Sequence, residues 1–559
     1  MSLARPEPSA APLDATPERA ADPRFRVGGR YAWYVLGLTV LVSAFSLLDR
    51  QILTIVAGDL KAHLGLSNAG VGLLYGTVFA IFYALFGIPL GRLADSWNRS
   101  RLLALGVGGW SLMTVLSGLS STVAMLAAAR TGVAIGEAVS NPAANSLLAD
   151  WFPKHRRATV LAIYACGVSI GMGASLAIGG TVMDAWTRAF PSGSGTFGLH
   201  GWQVALLVVG APGFLLAAWL ATLREPPRGL SEGVAEPQPP PHPFRRAGAE
   251  LAAILPFTSL VRLRQLNARP ADYVANLAAL AVVAAAVILL ARFTTGLVPA
   301  EKVPTLFHIA GLPFNTHTVQ WATLGLGAAV TFTWVQSLRL GDRPTYRLLW
   351  ATPTVVALTA ASALFMTLNY GLMAWTALYI ISHFHAPAGQ VGMAFGAISA
   401  GVGLIGTLLG GWLADAGLKL SPRARLWVSL FAMTTPWPLV HWVYSADSLG
   451  EFYLLFPVLS LCTTMWLPGV VTTCQDLVLP RMRGAAAATY NLSVTMVGLG
   501  LGPFLVGLIS DRTGSLATGV LSIYWLSPVV WACMAVALVT LPKAQATRLD
   551  RARAAGEPI

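Results

Sequence analysis

Four charged residues lie within stretches of the sequence that are otherwise apolar. Asp49 and Arg50 are neighbours in the first long apolar stretch, and Arg130 and Glu137 lie seven residues apart in the fourth. Because a helix turns by about 100° per residue, this spacing places Arg130 and Glu137 on nearly the same helix face. Protonation of Asp49 or Glu137 would free an arginine to hold an anion. The pattern therefore predicts a site that couples protons to an anionic substrate, with Asp49 and Glu137 as proton carriers.

The composition requires membrane-spanning helices to position these residues. The chain of 559 residues is 55% hydrophobic and only 11% charged, with a mean hydropathy of +0.64. Soluble proteins carry about 25% charged residues, so a soluble globular enzyme, a disordered protein and a fibrous protein are excluded. Apolar stretches of about 20 residues, long enough to cross a bilayer, recur along the chain in groups of six, two and six. We therefore expect an all-α, multi-pass membrane protein.

A static pair of salt bridges is the alternative interpretation of the four charges. Ionisable groups inside a membrane are costly and usually functional, which favours the switchable site. The second half of the chain has no charged residue inside its apolar stretches. Its candidate substrate-binding residues are the uncharged Asn369, Tyr370, Trp375 and Asn491. This asymmetry would suit an amphipathic substrate, with an anionic head on Arg50 and Arg130 and a hydrocarbon body on the second half.

Basic residues predict the orientation in the membrane. With both termini in the cytoplasm, 30 of the 37 lysines and arginines fall on the cytoplasmic side and five on the other, which is a strong positive-inside bias. This bias accounts for the net charge of +13, so no nucleic-acid partner is expected. We expect a monomer in a bacterial inner membrane, with the bilayer, an anionic substrate and protons as its partners. The cysteines lie in apolar runs and the histidines are scattered, so no disulfide, metal or cofactor is expected.

Two related motifs recur in the halves of the chain. Gly-x-Leu-Ala-Asp begins at Gly91 and again at Gly411, and an Asp near a Pro recurs at Asp150 and Asp476 with nearly the same separation. The carboxylates can accept hydrogen bonds at helix ends and pair with nearby basic residues. We predict a conformational latch, against the alternative of simple loop charge pairs. The predicted latch residues are Gly91, Asp95, Arg99, Asp150, Arg156, Gly411, Asp415, Lys419, Asp476 and Arg483.

The repeat and the apolar stretches predict the domain organisation. Two six-helix bundles flank an extra central two-helix hairpin, which gives about 14 transmembrane helices. The predicted segments are a disordered cytoplasmic arm 1–30, an N-terminal bundle 31–223, a cytoplasmic linker 224–271, the hairpin 272–338, a C-terminal bundle 339–541 and a cytoplasmic tail 542–559.

Several motifs resemble the Spinster-like branch of the major facilitator superfamily. They are Leu48-Asp-Arg-Gln51, Arg92-Leu-Ala-Asp-Ser-Trp-Asn-Arg99, Arg130-Thr-Gly-Val-Ala-Ile-Gly-Glu137, Asp150-Trp-Phe-Pro153 and Arg224-Glu-Pro-Pro-Arg-Gly229. The resemblance implies the major facilitator fold and a carrier whose functional cluster comprises Asp49, Arg50, Arg130 and Glu137. Eukaryotic relatives move sphingosine-1-phosphate or lysophospholipids. The hairpin departs from the usual twelve-helix pattern, and Gln203 stands where the resemblance leads us to expect arginine.

The expected function is secondary active transport by alternating access, coupled to protons, of an amphipathic or organic anion such as a lysolipid. Two alternatives stay open. The same cluster could serve a small carboxylate or a drug-like compound. Alternatively, the fold could serve a non-transporting binding or receptor protein.

Overall fold

The computed structural model describes residues 25–191, 195–232, 242–309 and 311–557. Within these residues, twelve helices are long and apolar enough to cross a membrane. We call the side where the first helix begins and the last one ends the terminal face, and the opposite side the distal face.

Six of these helices form the N-terminal half. They are α1 (Arg30–Ile55), α2 (Asn68–Ser96), α3 (Arg99–Gly118), α4 (Val123–Trp151), α5 (Lys154–Ala189) and α6 (Gly201–Ala221). The short helix Ala57–Leu64 lies between α1 and α2. Three fully buried tryptophans, Trp110, Trp151 and Trp202, belong to the core of this half.

An insert separates the two halves. It comprises α7 (Pro243–Ile254), the short helix Ser259–Gln265, α8 (Pro270–Gly296), β1 (Thr305–Ile309), β2 (Leu312–Asn315) and α9 (Thr316–Gly341). The strands pair antiparallel between α8 and α9, and the stacked rings of Phe307 and Phe314 lie 5.4 Å apart. This small sheet was not predicted from the sequence, because its two strands have only five and four residues.

The C-terminal half begins after the short helix Arg343–Leu349. Its helices are α10 (Pro353–His383), α11 (Ala388–Gly417), α12 (Ala424–Thr434), α13 (Pro436–Tyr444), α14 (Leu449–Asp476), α15 (Arg483–Thr513) and α16 (Leu516–Ala546). The helix that follows α11 is divided just before Pro436, because proline cannot continue the backbone hydrogen bonds. With this divided helix and α9, the fold agrees with the predicted all-α architecture of about 14 membrane helices.

A shared hydrogen-bond acceptor joins the insert to both halves. The Thr77 hydroxyl of α2 and the Gln320 amide of α9 both donate to the Gly500 carbonyl of α15, at 2.6 and 2.9 Å. Next to this contact, both α2 and α15 contain a π-helical segment, Leu73–Thr77 and Thr495–Leu499. Such segments inside α-helices are frequent at functional sites.

The described parts of the predicted arm and linker pack against the N-terminal half. Residues 1–24 of the predicted arm, 233–241 of the predicted linker and 558–559 of the predicted tail lie outside the described residues. The backbone amide of Gly28 donates to the Trp151 carbonyl at 2.8 Å. In the linker, the Phe244 ring of α7 lies 5.1 Å from that of Trp97.

Candidate functional site

The pair Arg50 and Glu137 is at the centre of the site. Glu137 lies where α4 is interrupted, between the helical segments Val123–Glu137 and Ser140–Trp151. Its Oε2 accepts hydrogen bonds from Arg50 Nη2 at 3.1 Å and from the Ser46 hydroxyl at 2.8 Å. The Glu137 side chain is fully buried, whereas 13% of the Arg50 side chain is exposed. Arg50 is therefore the accessible member of this ion pair.

Asp49 and Arg130 lie behind this pair, both buried. Arg130 Nη1 donates to the backbone carbonyl of Asp49 at 3.1 Å. Neither carboxylate oxygen of Asp49 has a hydrogen-bond partner within the described part of the chain. Trp110 and Thr114 of α3 lie beside Asp49, but their polar atoms do not reach hydrogen-bond geometry. The structure thus brings together the four charges that the sequence analysis singled out.

A cavity of about 260 Å³ opens beside Arg50. Arg50 lines this cavity, whereas Arg130 is fully buried and is not among the lining residues. The Arg50 guanidinium carbon lies 4.3 Å from the Phe79 ring centre and 5.1 Å from that of Tyr83. The other polar lining residues are Ser43, Ser46, Gln51, Tyr75, Tyr83, Ser140, Asn141, Tyr164 and Tyr370.

The four uncharged candidates of the second half are placed differently from one another. Tyr370 lines the cavity. Asn369 Nδ2 donates to the Thr463 carbonyl at 3.0 Å, and the buried Trp375 indole donates to the Pro503 carbonyl at 2.9 Å. Asn491 is exposed and is not a lining residue. Only Tyr370 of these four is therefore brought to the site.

The predicted latch residues form one ion-pair network in each half at the terminal face. Arg99 pairs with Asp150 at 2.5 Å and with Glu225 at 2.6 Å. In the second half, Arg425 pairs with both Asp415 and Asp476 at 2.8 Å. The separation of Arg99 and Arg425 along the chain equals that of Asp150 and Asp476. Arg425 is therefore the repeat partner of Arg99, whereas the predicted latch residue Lys419 makes no ion pair among the described residues.

The remaining latch candidates take no part in these bonds. Asp95 is close to Arg92, Arg228 and Arg99, which attract it electrostatically. Gly91 and Gly411 occupy equivalent positions, since a Cβ atom at either would contact a proline of the same half, Pro142 or Pro468. The basic residues are exposed and make no ion pair among the described residues: Arg156, Lys419 and Arg483.

Two aspartates join the halves at the distal face. The carboxylate of Asp511 in α15 accepts hydrogen bonds from the backbone amides of Asn68 and Ala69 at the start of α2, at 2.9 and 2.8 Å. The carboxylate of Asp184 in α5 accepts hydrogen bonds from the backbone amides of Ala388 and Gly389 at the start of α11, at 3.1 and 2.8 Å. Each carboxylate satisfies free amides at a helix N-terminus, where negative charge is favoured.

Close glycine packing accompanies these two caps. A Cβ atom added at Gly392 of α11 would lie 2.0 Å from the Leu176 carbonyl of α5, and one at Gly180 would lie 2.2 Å from the Ala388 carbonyl. The terminal-face networks, in contrast, each stay within their own half. The structure is therefore closed at the distal face. Asp184 and Asp511 were not predicted from the sequence, although their separation along the chain is close to that of the repeat.

Two similar halves, bonded to each other at one face and enclosing a buried charge cluster beside a cavity, define a membrane carrier. The sequence matches the model of the Major Facilitator Superfamily over residues 39–503. The chain belongs to this superfamily, and it is therefore an integral, multi-pass transport protein and not an enzyme. Its similarity to Spinster proteins agrees with the resemblance seen in the sequence.

Three relatives illustrate the similarity. An MFS-type efflux pump of Mycolicibacterium smegmatis is 26% identical over 87% of this chain and 86% of its own length. Protein spinster of Drosophila melanogaster is 27% identical over 39% of this chain and 34% of its own length. A probable galactarate/D-glucarate transporter of Bacillus subtilis is 28% identical over 36% of this chain and 43% of its own length. The chain thus matches less than half the length of the last two.

The fold is also similar to a solved structure. A bacterial homologue of the human lysosomal transporter Spinster, crystallised in an inward-facing and unoccupied conformation, superposes with a TM-score of 0.61. The alignment covers 94% of this chain and 97% of that chain at 24% sequence identity. At this identity the likeness establishes the shared fold.

Proposed function

We propose that this transporter couples protons to the movement of an organic anion by alternating access. The observation that carries the proposal is the bond between Arg50 and Glu137 at the cavity wall, 3.1 Å long, in which only the arginine is accessible. An accessible cation whose counter-ion is buried and titratable can exchange that counter-ion for a solute anion.

Arg50 is suited to holding the anion. Glu137 accepts from one Arg50 nitrogen, and Arg50 Nε has no partner within the described residues. A guanidinium has five N–H donors in a planar fork that matches a carboxylate. Stacking on Phe79 and Tyr83 fixes the plane of this fork. Arg130 is buried, and we assign it the role of counter-ion to Asp49 and Glu137.

The two acids would carry the protons. An ionised carboxylate that is buried without hydrogen bonds is costly, which applies to Asp49. Protonation of Glu137 would remove the charge that holds Arg50, so that Arg50 gains a solute anion as its new partner. Loss of the proton would restore the bond between Glu137 and Arg50 and release the solute.

Alternating access would follow from the bonds at the two faces. The Asp184 and Asp511 caps hold the distal ends of the halves together. Opening at the distal face requires both carboxylates to leave their amides, and water can then solvate both groups. The Arg99 and Arg425 networks would keep each half rigid while the halves rotate.

The orientation and setting remain part of the proposal. The excess of basic residues in the terminal-face loops supports a cytoplasmic location of both termini in a bacterial inner membrane. In that orientation the present conformation faces inward. We further propose that the monomer is the working unit, because each chain contains both halves and the complete charge cluster.

Reconstitution in liposomes with an imposed pH gradient tests the proposal. Glu137→Gln and Asp49→Asn should each abolish uptake driven by the gradient. Asp447→Asn, an exposed residue of the distal face, is the matched control and should transport as the wild type does. Equal pH dependence of wild type and Glu137→Gln would refute the proton coupling. Failure of the wild type to move any organic anion would favour a binding or receptor protein.

A lysolipid-like anion is a second candidate substrate. An apolar cavity of about 220 Å³ lies between α10 and α15, with Val355, Ala363 and Tyr490 among its lining residues. A hydrocarbon chain could occupy this cavity while the head group contacts Arg50. Uptake of a lysophospholipid by the wild type, lost in Ala363→Trp, would support this candidate.

A further inference from the structure

Three side chains from three helices form a hydrogen-bonded network on the wall of the polar cavity. Asn141 of α4 donates from Nδ2 to the Tyr83 hydroxyl of α2 at 3.1 Å. The Tyr164 hydroxyl of α5 donates to Asn141 Oδ1 at 2.8 Å. We call Tyr83, Asn141 and Tyr164 the hydroxyl network. All three line the cavity, and the Tyr83 ring also lies under the Arg50 guanidinium.

The hydroxyl network retains capacity for further hydrogen bonds. The Tyr83 oxygen accepts from Asn141, so its own O–H can still donate. The Tyr164 oxygen donates to Asn141 and can still accept. Asn141 holds the two tyrosines in these roles because its amide bonds to both. A solute beside Arg50 therefore meets one donor and one acceptor whose positions are set by three different helices.

The other polar groups of the wall have the same chemistry. Ser43, Ser46 and Ser140 add hydroxyls, and Tyr370 adds one from the second half. Arg50 is the only cation among the lining residues. The wall thus offers one charge and many neutral donors and acceptors, which suits a solute that carries one anionic group and several hydroxyls.

The size of the cavity limits the solute. A volume of about 260 Å³ lies just below the range of roughly 300–1,000 Å³ that is usual for pockets of drug-sized ligands. A sugar-sized acid fits within this space. A long acyl chain together with its head group exceeds it and would have to extend into other parts of the protein.

We propose that the hydroxyl network selects small polyhydroxylated organic acids, with the carboxylate on Arg50 and the hydroxyls on Tyr83 and Tyr164. This inference rests on the proposed function, because it assigns the solute class of the same site. A site built to bond a solute hydroxyl rejects the analogue that lacks it, since its polar groups then lose their partners.

The test compares two six-carbon monocarboxylates in liposomes that contain the full chain. Gluconate carries hydroxyls along its chain and hexanoate carries none. We expect the wild type to take up gluconate at least tenfold more efficiently, measured as kcat/KM. Tyr83→Phe and Tyr164→Phe should each raise the KM for gluconate about three- to tenfold, the worth of one hydrogen bond. Neither substitution should change the inhibition of uptake by hexanoate.

Two further variants separate selection from a general loss of structure. Tyr453→Phe removes a hydroxyl that has no partner among the described residues and does not line the cavity, and it should behave as the wild type. Asn141→Leu should raise the KM for gluconate at least as much as either tyrosine variant, because Asn141 positions both hydroxyls. Its effect on kcat should be smaller, and thermal melting of the purified variants should show an unchanged fold.

The outcomes distinguish this inference from the proposed function. Efficient uptake of hexanoate, or equal effects of Tyr83→Phe on both acids, would overturn the hydroxyl selection and leave anion transport intact. If the wild type takes up no organic anion at all, the proposed function itself is overturned. Selective loss of gluconate affinity in the two tyrosine variants would support both.

Discussion

Arg50 illustrates how one residue can serve two partners. Its guanidinium is bonded to the buried Glu137, stacked on Phe79, and partly exposed to the cavity. Arg130 has the same charge on the neighbouring helix but is enclosed completely. Exposure, and not charge alone, is therefore the reason for assigning the proposed solute contact to Arg50 and the proposed balancing of the buried acids to Arg130.

Replacement of Arg50 should show whether its fork or only its charge is needed. We expect Arg50→Lys to keep transport with about tenfold weaker anion affinity, because an ammonium cannot bond a carboxylate through two parallel N–H groups. Arg50→Ala should abolish binding. Anion-induced quenching of tryptophan fluorescence measures both affinities. An unchanged affinity in Arg50→Ala would remove this residue from the site.

The sequence located the charge cluster because charged residues inside apolar stretches are rare enough to stand out. The positions of Trp375 and Asn491 outside the cavity wall could not be predicted, because apolar helices show no amphipathic periodicity that would fix their rotation. Arg425 was missed for another reason. The stretch between Asp415 and Arg425 is longer than that between Asp95 and Arg99, so equal spacing led to Lys419.

At the scale of elements, close backbone contacts join the two halves along two seams, one between α5 and α11 and the other between α2 and α15. Gly392 of α11 faces the Leu176 carbonyl of α5. In the other seam, a Cβ atom at Gly76 of α2 would lie 2.3 Å from the Leu499 carbonyl of α15. Small residues permit such approaches between membrane helices. Each seam therefore depends on positions where even one methyl group has no room.

Gly392→Ala should prevent closure of the distal face. The added methyl group would lie 2.0 Å from the Leu176 carbonyl, so the halves must move apart there. We expect net transport to be lost, whereas anion binding from the distal side persists. Gly401→Ala, in the same helix but with open space around it, is the matched control and should transport normally. Equal transport by the two variants would contradict this account of the seam.

The caps formed by Asp184 and Asp511 should also bias the conformation. Each cap is worth about 1 kcal/mol, so Asp511→Asn should raise the distally open population about fivefold. Spin labels at Ser121 and Asp447 lie in distal loops of the two halves. The distance between these labels, measured by double electron–electron resonance, reports this opening. Asp59→Asn is the control, because Asp59 accepts a hydrogen bond from the backbone amide of Trp202, which belongs to the same half. A similar shift in both variants would exclude a specific role for the cap between halves.

At the scale of the whole molecule, the C-terminal tail and the end of the insert are tied to the second half by one arginine. Arg481 bonds both Asp342, at the end of the insert, and Glu557, near the C-terminus. Partial burial disfavours the ionised form of Asp342, but hydrogen bonds from Arg481 and Thr345 outweigh it and lower the pKa of this carboxyl. A hydrogen bond from Arg481 likewise lowers the pKa of Glu557.

These lowered pKa values predict that the tail stays docked across the physiological range. A carboxylate with a depressed pKa stabilises the folded state above its ordinary pKa, and that stabilisation is lost as the pH falls below about 4. Tail docking, followed by a fluorophore at residue 556, should therefore not change between pH 8 and pH 5.5. Arg481→Gln should undock it at neutral pH. Undocking of the wild type near pH 6.5 would contradict this assignment and would complicate any transport assay with a pH gradient.

The carbonyl of Gly500 links the insert to the transport cycle in a further way. Thr77 and Gln320 share this single acceptor, so a movement of α15 away from α2 and α9 would break two hydrogen bonds at once, and the Thr77 hydroxyl would keep only Gln320 Oε1 as an acceptor. Because both hydrogen bonds break before new contacts form, this step has a high activation enthalpy. Turnover of this carrier should accordingly slow steeply on cooling, and removal of the second donor in Gln320→Leu should flatten its Arrhenius plot.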